Sequence, residues 1–287
     1  MNIWRNLLTF PLGDRLAKPR TQGLTMILDK GIGLGETRDM LATAGQYIDF
    51  IKLGFGTTTL YSSDILEEKI NLIKAHNIDI YPGGTLLEVA ILQDKLEEFL
   101  YLSKQLGFTC IEVSDGTIQL KPEVRERAIT MARELGFKVL TEVGKKVGED
   151  NPPIPEMAKI IRNDLKSGAF KVILEGRESG INVGLYDVHG NFIKDDLDLL
   201  LAEIEDPRII IWEAPQKNQQ LELINRFGPN VNLGNIAPGE IMALEALRVG
   251  LRADTLKTAI DQIEKGLPPL RTIGPSPRNK ERGHTSL

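Results

Sequence analysis

The chain has 287 residues, 41% of them hydrophobic and 26% charged, with a formal net charge of -5. That is enough chain to bury a large core, while scattered Lys and Arg offer no basic face for nucleic acid and no run reaches the roughly 20 apolar residues of a membrane span. One cysteine, Cys110, inside an apolar run, excludes an internal disulfide and is expected as a small core residue.

Residues 1–22 form an N-terminal arm without the pattern of a cleavable signal, so a cytoplasmic protein is expected. From there, strand-sized apolar runs stand at 24–29, 47–53, 78–82, 108–113, 137–143, 170–175, 208–214 and 231–236. The segments between them have helical spacing, as in 63–73, 96–106 and 123–135. Leu106-Gly107-Phe108 and Leu135-Gly136-Phe137 put glycine where a helix stops and a strand begins. Regular alternation of strand and helix calls for parallel strands with right-handed crossovers. Eight such units in about 250 residues close as a single-domain (β/α)8 TIM barrel over 23–265. No GxGxxG follows the first strand, which disfavours an open doubly wound sheet. The Pro- and Gly-rich segment 266–287 is expected to be a mobile tail outside the barrel.

Charged residues recur at the carboxyl ends of these strands: Asp29-Lys30, Lys52, Glu112, Glu142, Glu175 and Glu213. That end of a barrel carries the catalytic groups. Carboxylates gathered at one mouth repel one another unless a cation or shared protons intervene, so the pattern points to a metal. Acids within helices, such as Glu67, Glu68, Glu97 and Glu98, belong on the solvated outer ring. The histidines, His76, His189 and His284, have no metal-ligand spacing. Glycine-bearing turns follow several strands, at Gly54–Gly56, Gly83-Gly84 and Gly176–Gly180, where backbone N–H groups can approach an oxyanion. Arg177 strengthens the third, because a guanidinium suits phosphate or carboxylate.

LDKG at 28–31, YIDFIKLGFGT at 47–57, YPGGTLLE at 81–88, IEVSDGT at 111–117, TEVGKK at 141–146, ILEGRESG at 173–180, WEAPQK at 212–217 and NLGNI at 232–236 together resemble the phosphosulfolactate synthase family, collinearly from about Gly23 to Thr255. The resemblance implies a (β/α)8 barrel that adds sulfite to phosphoenolpyruvate with Mg2+, giving (2R)-O-phospho-3-sulfolactate. In the family this lyase reaction feeds coenzyme M in methanogens and sulfolactate in some bacteria, and heat-stress proteins of plants carry the same motifs. On this reading Asp29, Glu112, Glu142 and Glu175 are the expected magnesium ligands, with Glu213 as an alternate or behind them. Lys146 is the expected proton donor, because the family motif and its strand parity with Glu142 both point to it, provided the chain stays extended through Gly144. Lys145, Lys52 and Lys30 are its rivals or oxyanion partners, Lys145 being the one expected at the surface. Gly83, Gly84, Arg177 and Ser179 are phosphate candidates, and Asn235 could orient a ligand oxygen. Small anionic substrates and a homo-oligomer are the expected partners. Another Mg-enolate reaction on the same barrel, or a stress role with little catalysis, would share most of these features.

Overall fold

The computed structural model describes residues 3–145 and 151–267. All eight expected strands form: β1 (Thr25–Asp29), β2 (Phe50–Leu53), β3 (Asp79–Tyr81), β4 (Cys110–Val113), β5 (Lys138–Val143), β6 (Lys171–Leu174), β7 (Ile210–Glu213) and β8 (Leu233–Ile236). They pair in parallel in the order β3-β2-β1-β8-β7-β6-β5-β4. The remaining seam, between β3 and β4, has no regular ladder, but Thr109 N donates to Ile80 O at 3.2 Å and Ile80 N to Thr109 Oγ1 at 3.0 Å. The sheet is thus a nearly closed (β/α)8 barrel.

Around it lie α1 (Leu34–Ala44), α2 (Ser63–Lys74), α3 (Gly84–Leu92), α4 (Leu96–Leu106), α5 (Pro122–Glu134), α6 (Ile154–Ser167), α7 (Lys194–Glu203), α8 (Lys217–Phe227), α9 (Ile241–Arg248) and α10 (Ala253–Glu264). Pro122 starts α5 where its missing N–H is harmless, and the left-handed Gly107 (φ 89°) ends α4, a turn that a side chain would strain. Among the described residues no helix is long and apolar enough to cross a membrane.

Strand parity divides the core in two. Met26, Phe50, Tyr81, Cys110, Leu140, Ile173 and Ile211 pack together inside the barrel, and their strand neighbours Ile27, Ile51, Ile80, Ile111, Val139, Val172 and Ile210 pack outward under the helices. Burial raises the Cys110 thiol well above its ordinary value, consistent with an inert core residue. The arm is fastened at the amino end of the barrel: Arg15 donates to Glu245 Oε2 at 2.9 Å and Asn230 Oδ1 at 2.6 Å, and Arg20 pairs with Asp49 at 2.8 Å. The tail beyond Leu267 lies outside the described residues.

Candidate active site

The same parity builds the site. Lys52, Glu112, Glu142, Glu175 and Glu213 each stand two residues beyond an inward-facing core residue, namely Phe50, Cys110, Leu140, Ile173 and Ile211. Their side chains therefore form the next layer toward the carboxyl mouth. The Lys52 ammonium lies 3.1 Å from Glu112 Oε2, 3.1 Å from Glu142 Oε2 and 3.3 Å from Glu213 Oε1. All four glutamates are buried. Burial pushes the Glu112 carboxyl up to about 7, with repulsion from Glu142 and Glu213 adding to it and Lys52 opposing. Burial, then Glu142 and Glu213, hold Glu175 well above the carboxylate range, and Glu213 is also raised. For Lys52, burial works downward, but the three carboxylates outweigh it and keep it charged well above the usual lysine value.

Asp29 is placed elsewhere. It is three residues from Met26 and so faces out of the barrel, where Oδ2 meets Lys69 Nζ of α2 at 2.6 Å. Its Oδ1 accepts from Gly31 N at 2.8 Å and Ile32 N at 3.0 Å. Lys69 sits on the stripe Leu66, Ile70, Ile73 of α2 and is fully buried with it, a helical spacing visible in the sequence. Lys30 is exposed in the following loop.

Backbone amides of two of the glycine turns, expected to await an anion, are already engaged by the site's own acids. Gly84 N donates to Glu112 Oε1 at 2.7 Å, while Gly176 N and Arg177 N donate to Glu213 Oε2 at 2.9 and 3.1 Å. A Cβ at Gly84 would come within 2.5 Å of Glu112 Oε1, so glycine there is a condition for this contact. A cavity of about 280 Å3 opens above the acids, lined in part by Lys52, Glu142, Glu175, Glu213, Arg177 and Asn235. Ser179, Gly83 and Gly84 do not line it; the Ser179 carbonyl accepts from Gln216 Nε2 at 2.6 Å. Asn235, left-handed at φ 54°, donates to Arg177 O at 2.9 Å and leaves Oδ1 buried without a hydrogen-bond donor among the described residues.

Lys145 is not a free surface lysine. It is bound to the loop after β4 through Asp115 O, Asp115 Oδ2 at 3.0 Å and Ile118 O at 2.9 Å. Gly144 turns the chain with φ 124°, so the extended path that would have aligned Lys146 with Glu142 ends there, and Lys146 lies outside the described residues. The loop itself is held by Glu88 of α3, which sequence reasoning passed over. Its carboxylate accepts from Ser114 Oγ at 2.6 Å and from the amides of Gly116, Thr117 and Ile118 at 3.0–3.1 Å. The signal was available: Glu88 is the lone charge in the apolar helix GTLLEVAIL. Arg125 completes the frame by pairing with Asp164 at 2.7 Å and donating to Glu142 O at 2.9 Å.

Carboxylate oxygens of Glu142, Glu175 and Glu213 all lie within 4.8 Å of one another. These are oxygen donors of the kind that suits Mg2+, and Asn235, which lines the same cavity, carries a further buried amide oxygen. Burial raises the Glu175 and Glu213 carboxyls and the neighbouring acids add to it; a divalent cation would relieve that repulsion, so the residues present fit one. The grouping differs from the expected one. Glu213 joins it, Glu112 is held by Lys52 and Gly84, and Asp29 is on the other face of its strand.

The sequence profile of (2R)-phospho-3-sulfolactate synthase (ComA) matches residues 13–254. The chain is 46% identical over 253 residues to the phosphosulfolactate synthase of Methanothermobacter thermautotrophicus, covering 88% of this chain and 98% of that protein. It is likewise 46% identical over 236 residues to that of Methanocaldococcus jannaschii, covering 82% and 94%. Among solved structures, 3-hexulose-6-phosphate synthase from Salmonella typhimurium superposes with a TM-score of 0.52 at 12% identity, over 80% of this chain and 100% of that one, a likeness of fold alone. With its motifs on one barrel mouth and its length shared with these relatives, the chain belongs to the (2R)-phospho-3-sulfolactate synthase (ComA) family.

Proposed function

We propose that this chain is a phosphosulfolactate synthase, a lyase that joins the sulfur of sulfite to C3 of phosphoenolpyruvate. The C–S bond forms as the C2–C3 π pair moves toward C2 and its carboxylate, and a proton then enters at C2. The observation that carries this reading is the convergence of Glu142, Glu175 and Glu213 beside Lys52 in one cavity, in a chain whose relatives bear that name. Two anions must meet here, so their charge has to be offset. Glu142, Glu175 and Glu213, with Asn235 Oδ1, would hold Mg2+. When bound, that ion supplies electrostatic stabilisation of the charge that develops on the substrate carboxylate.

The chain's own residues do the rest. Lys52 keeps its proton, because three carboxylates raise it, and so serves as a fixed positive charge. Glu112 anchors Lys52, and the Gly84 amide fixes the Glu112 carboxylate in turn. Arg177, which lines the cavity, would receive a phosphate or carboxylate. Glu88 and Lys145 hold the loop that brings Thr117 to the cavity wall. Lys146 remains the proposed donor of the C2 proton.

The test is to incubate the purified protein with phosphoenolpyruvate and sulfite, before and after EDTA treatment and Mg2+ readdition, and to follow the phosphorus and carbon signals by NMR. A phosphorylated product with a C3–S bond that needs readdition of Mg2+ is expected. Consumption of phosphoenolpyruvate without sulfite, or no consumption under any of these conditions, would overturn the reading.

A further inference from the structure

Gly54 to Thr57 form a four-residue turn, closed by Thr57 N donating to Gly54 O at 3.0 Å. Both central residues have positive φ, 57° at Phe55 and 66° at Gly56. This is the type I′ pattern, whose first central position favours Asn, Asp or Gly. A bulky aromatic there is a conformational outlier, and such strain concentrates at functional sites. The ring is not used for the core, since Phe55 is 58% exposed. It lines the cavity above the glutamates. Among the described residues around that cavity, only Phe55 and Leu28 are apolar; the other side chains are charged or hydroxyl- or amide-bearing, apart from Gly54.

The geometry points to Phe55 as a specificity-determining residue that packs on the unsubstituted vinyl methylene of the enol-phosphate substrate. This inference rests on the proposed reaction. The substrate is anionic at its carboxylate and phosphate, and those ends match Lys52, Arg177 and the ion site. Its C3 methylene is its one apolar end, and Leu28 and Phe55 are the surfaces that match it. Leu28, paired in register with Lys52, is buried and forms the inner wall, whereas Phe55 stands at the mouth. On this inference the ring admits a CH2 group and disfavours a larger substituent at C3. An apolar contact of this kind discriminates by about 10–200-fold per small group.

Phe55→Asn puts a residue suited to the turn in place of the ring, and Phe55→Tyr keeps the ring. Both are assayed beside wild type with sulfite and either phosphoenolpyruvate or its 3-methyl analogue, 2-(phosphonooxy)but-2-enoate, and their melting temperatures are recorded. Phe55→Asn should melt at or above the wild-type temperature, raise KM for phosphoenolpyruvate about 10-fold or more, change kcat by less than about threefold, and narrow the preference over the methyl analogue by at least about 5-fold. Phe55→Tyr should stay within about threefold of wild type. If Phe55→Asn keeps the wild-type KM and the wild-type preference, or if its losses come with a lower melting temperature and are shared by Phe55→Tyr, the inference fails while the proposed reaction stands. If wild type makes no product from phosphoenolpyruvate and sulfite, the reaction itself fails and takes the inference with it.

Discussion

Replacing Lys52 by Met removes an ammonium that touches Glu112, Glu142 and Glu213 at 3.1–3.3 Å. At an effective dielectric of about 20, one contact at that distance amounts to roughly 5 kcal/mol before desolvation. Removing one member of a buried ion pair typically costs about 3–5 kcal/mol, because the partner is left charged and unmatched. The loss should depend on pH. With Lys52 present, the Glu112 carboxyl already sits at about 7 against an ordinary 4.5, and without the lysine it moves higher. A carboxyl whose folded value is raised holds more protons in the native than in the unfolded state, so stability falls as pH rises from about 4.5 through the folded value. In the wild-type protein that rise from 4.5 to about 7 already costs about 3 kcal/mol at high pH, and the extra loss in the variant comes from the further rise once the lysine is gone. Lys52→Met in EDTA should therefore lose about 3–5 kcal/mol at pH 8 and about 1 kcal/mol at pH 5, where Glu112 is protonated. Urea unfolding at the two pH values, with m-values compared, measures this. Equal losses at both, or a loss below about 1 kcal/mol at pH 8, would refute the account of Lys52 as a cation that balances crowded acids.

Other consequences follow from individual contacts. Glu175→Gln should weaken Mg2+ binding by about 10-fold or more in calorimetry with little change in melting temperature; unaltered affinity would remove Glu175 from the ion site. Asp29→Asn should do the reverse, lowering stability by about 3 kcal/mol because buried Lys69 loses its partner, while Mg2+ affinity stays within about threefold. Glu88→Ala should cost about 2–4 kcal/mol and speed hydrogen exchange at Gly116–Ile118, and slow exchange there would show that the loop is held by something else. Cys110 should resist thiol reagents at pH 8 until denaturant is added, and rapid labelling of the native protein would contradict its burial and raised thiol.

Period and punctuation in the chain were sufficient for the barrel. Apolar runs of strand length separated by helical segments have few ways to bury both faces of eight parallel strands, and all eight runs became strands. The strand-end acids were also legible, and parity counted from each inner core residue would have separated Glu213, which faces inward, from Asp29, which faces Lys69. What a linear reading could not supply was who meets whom across the barrel. Lys52 and Glu213 are 161 positions apart, and Glu88 reaches its loop from 26 to 30 positions away. Those distances close only when the sheet curls, because each strand sets the direction of its own side chain while the closure sets its neighbours. The glycine-turn amides illustrate the same division: their N–H groups were predictable as anion receptors, but the carboxylates that occupy them come from other strands and were chosen by the tertiary structure.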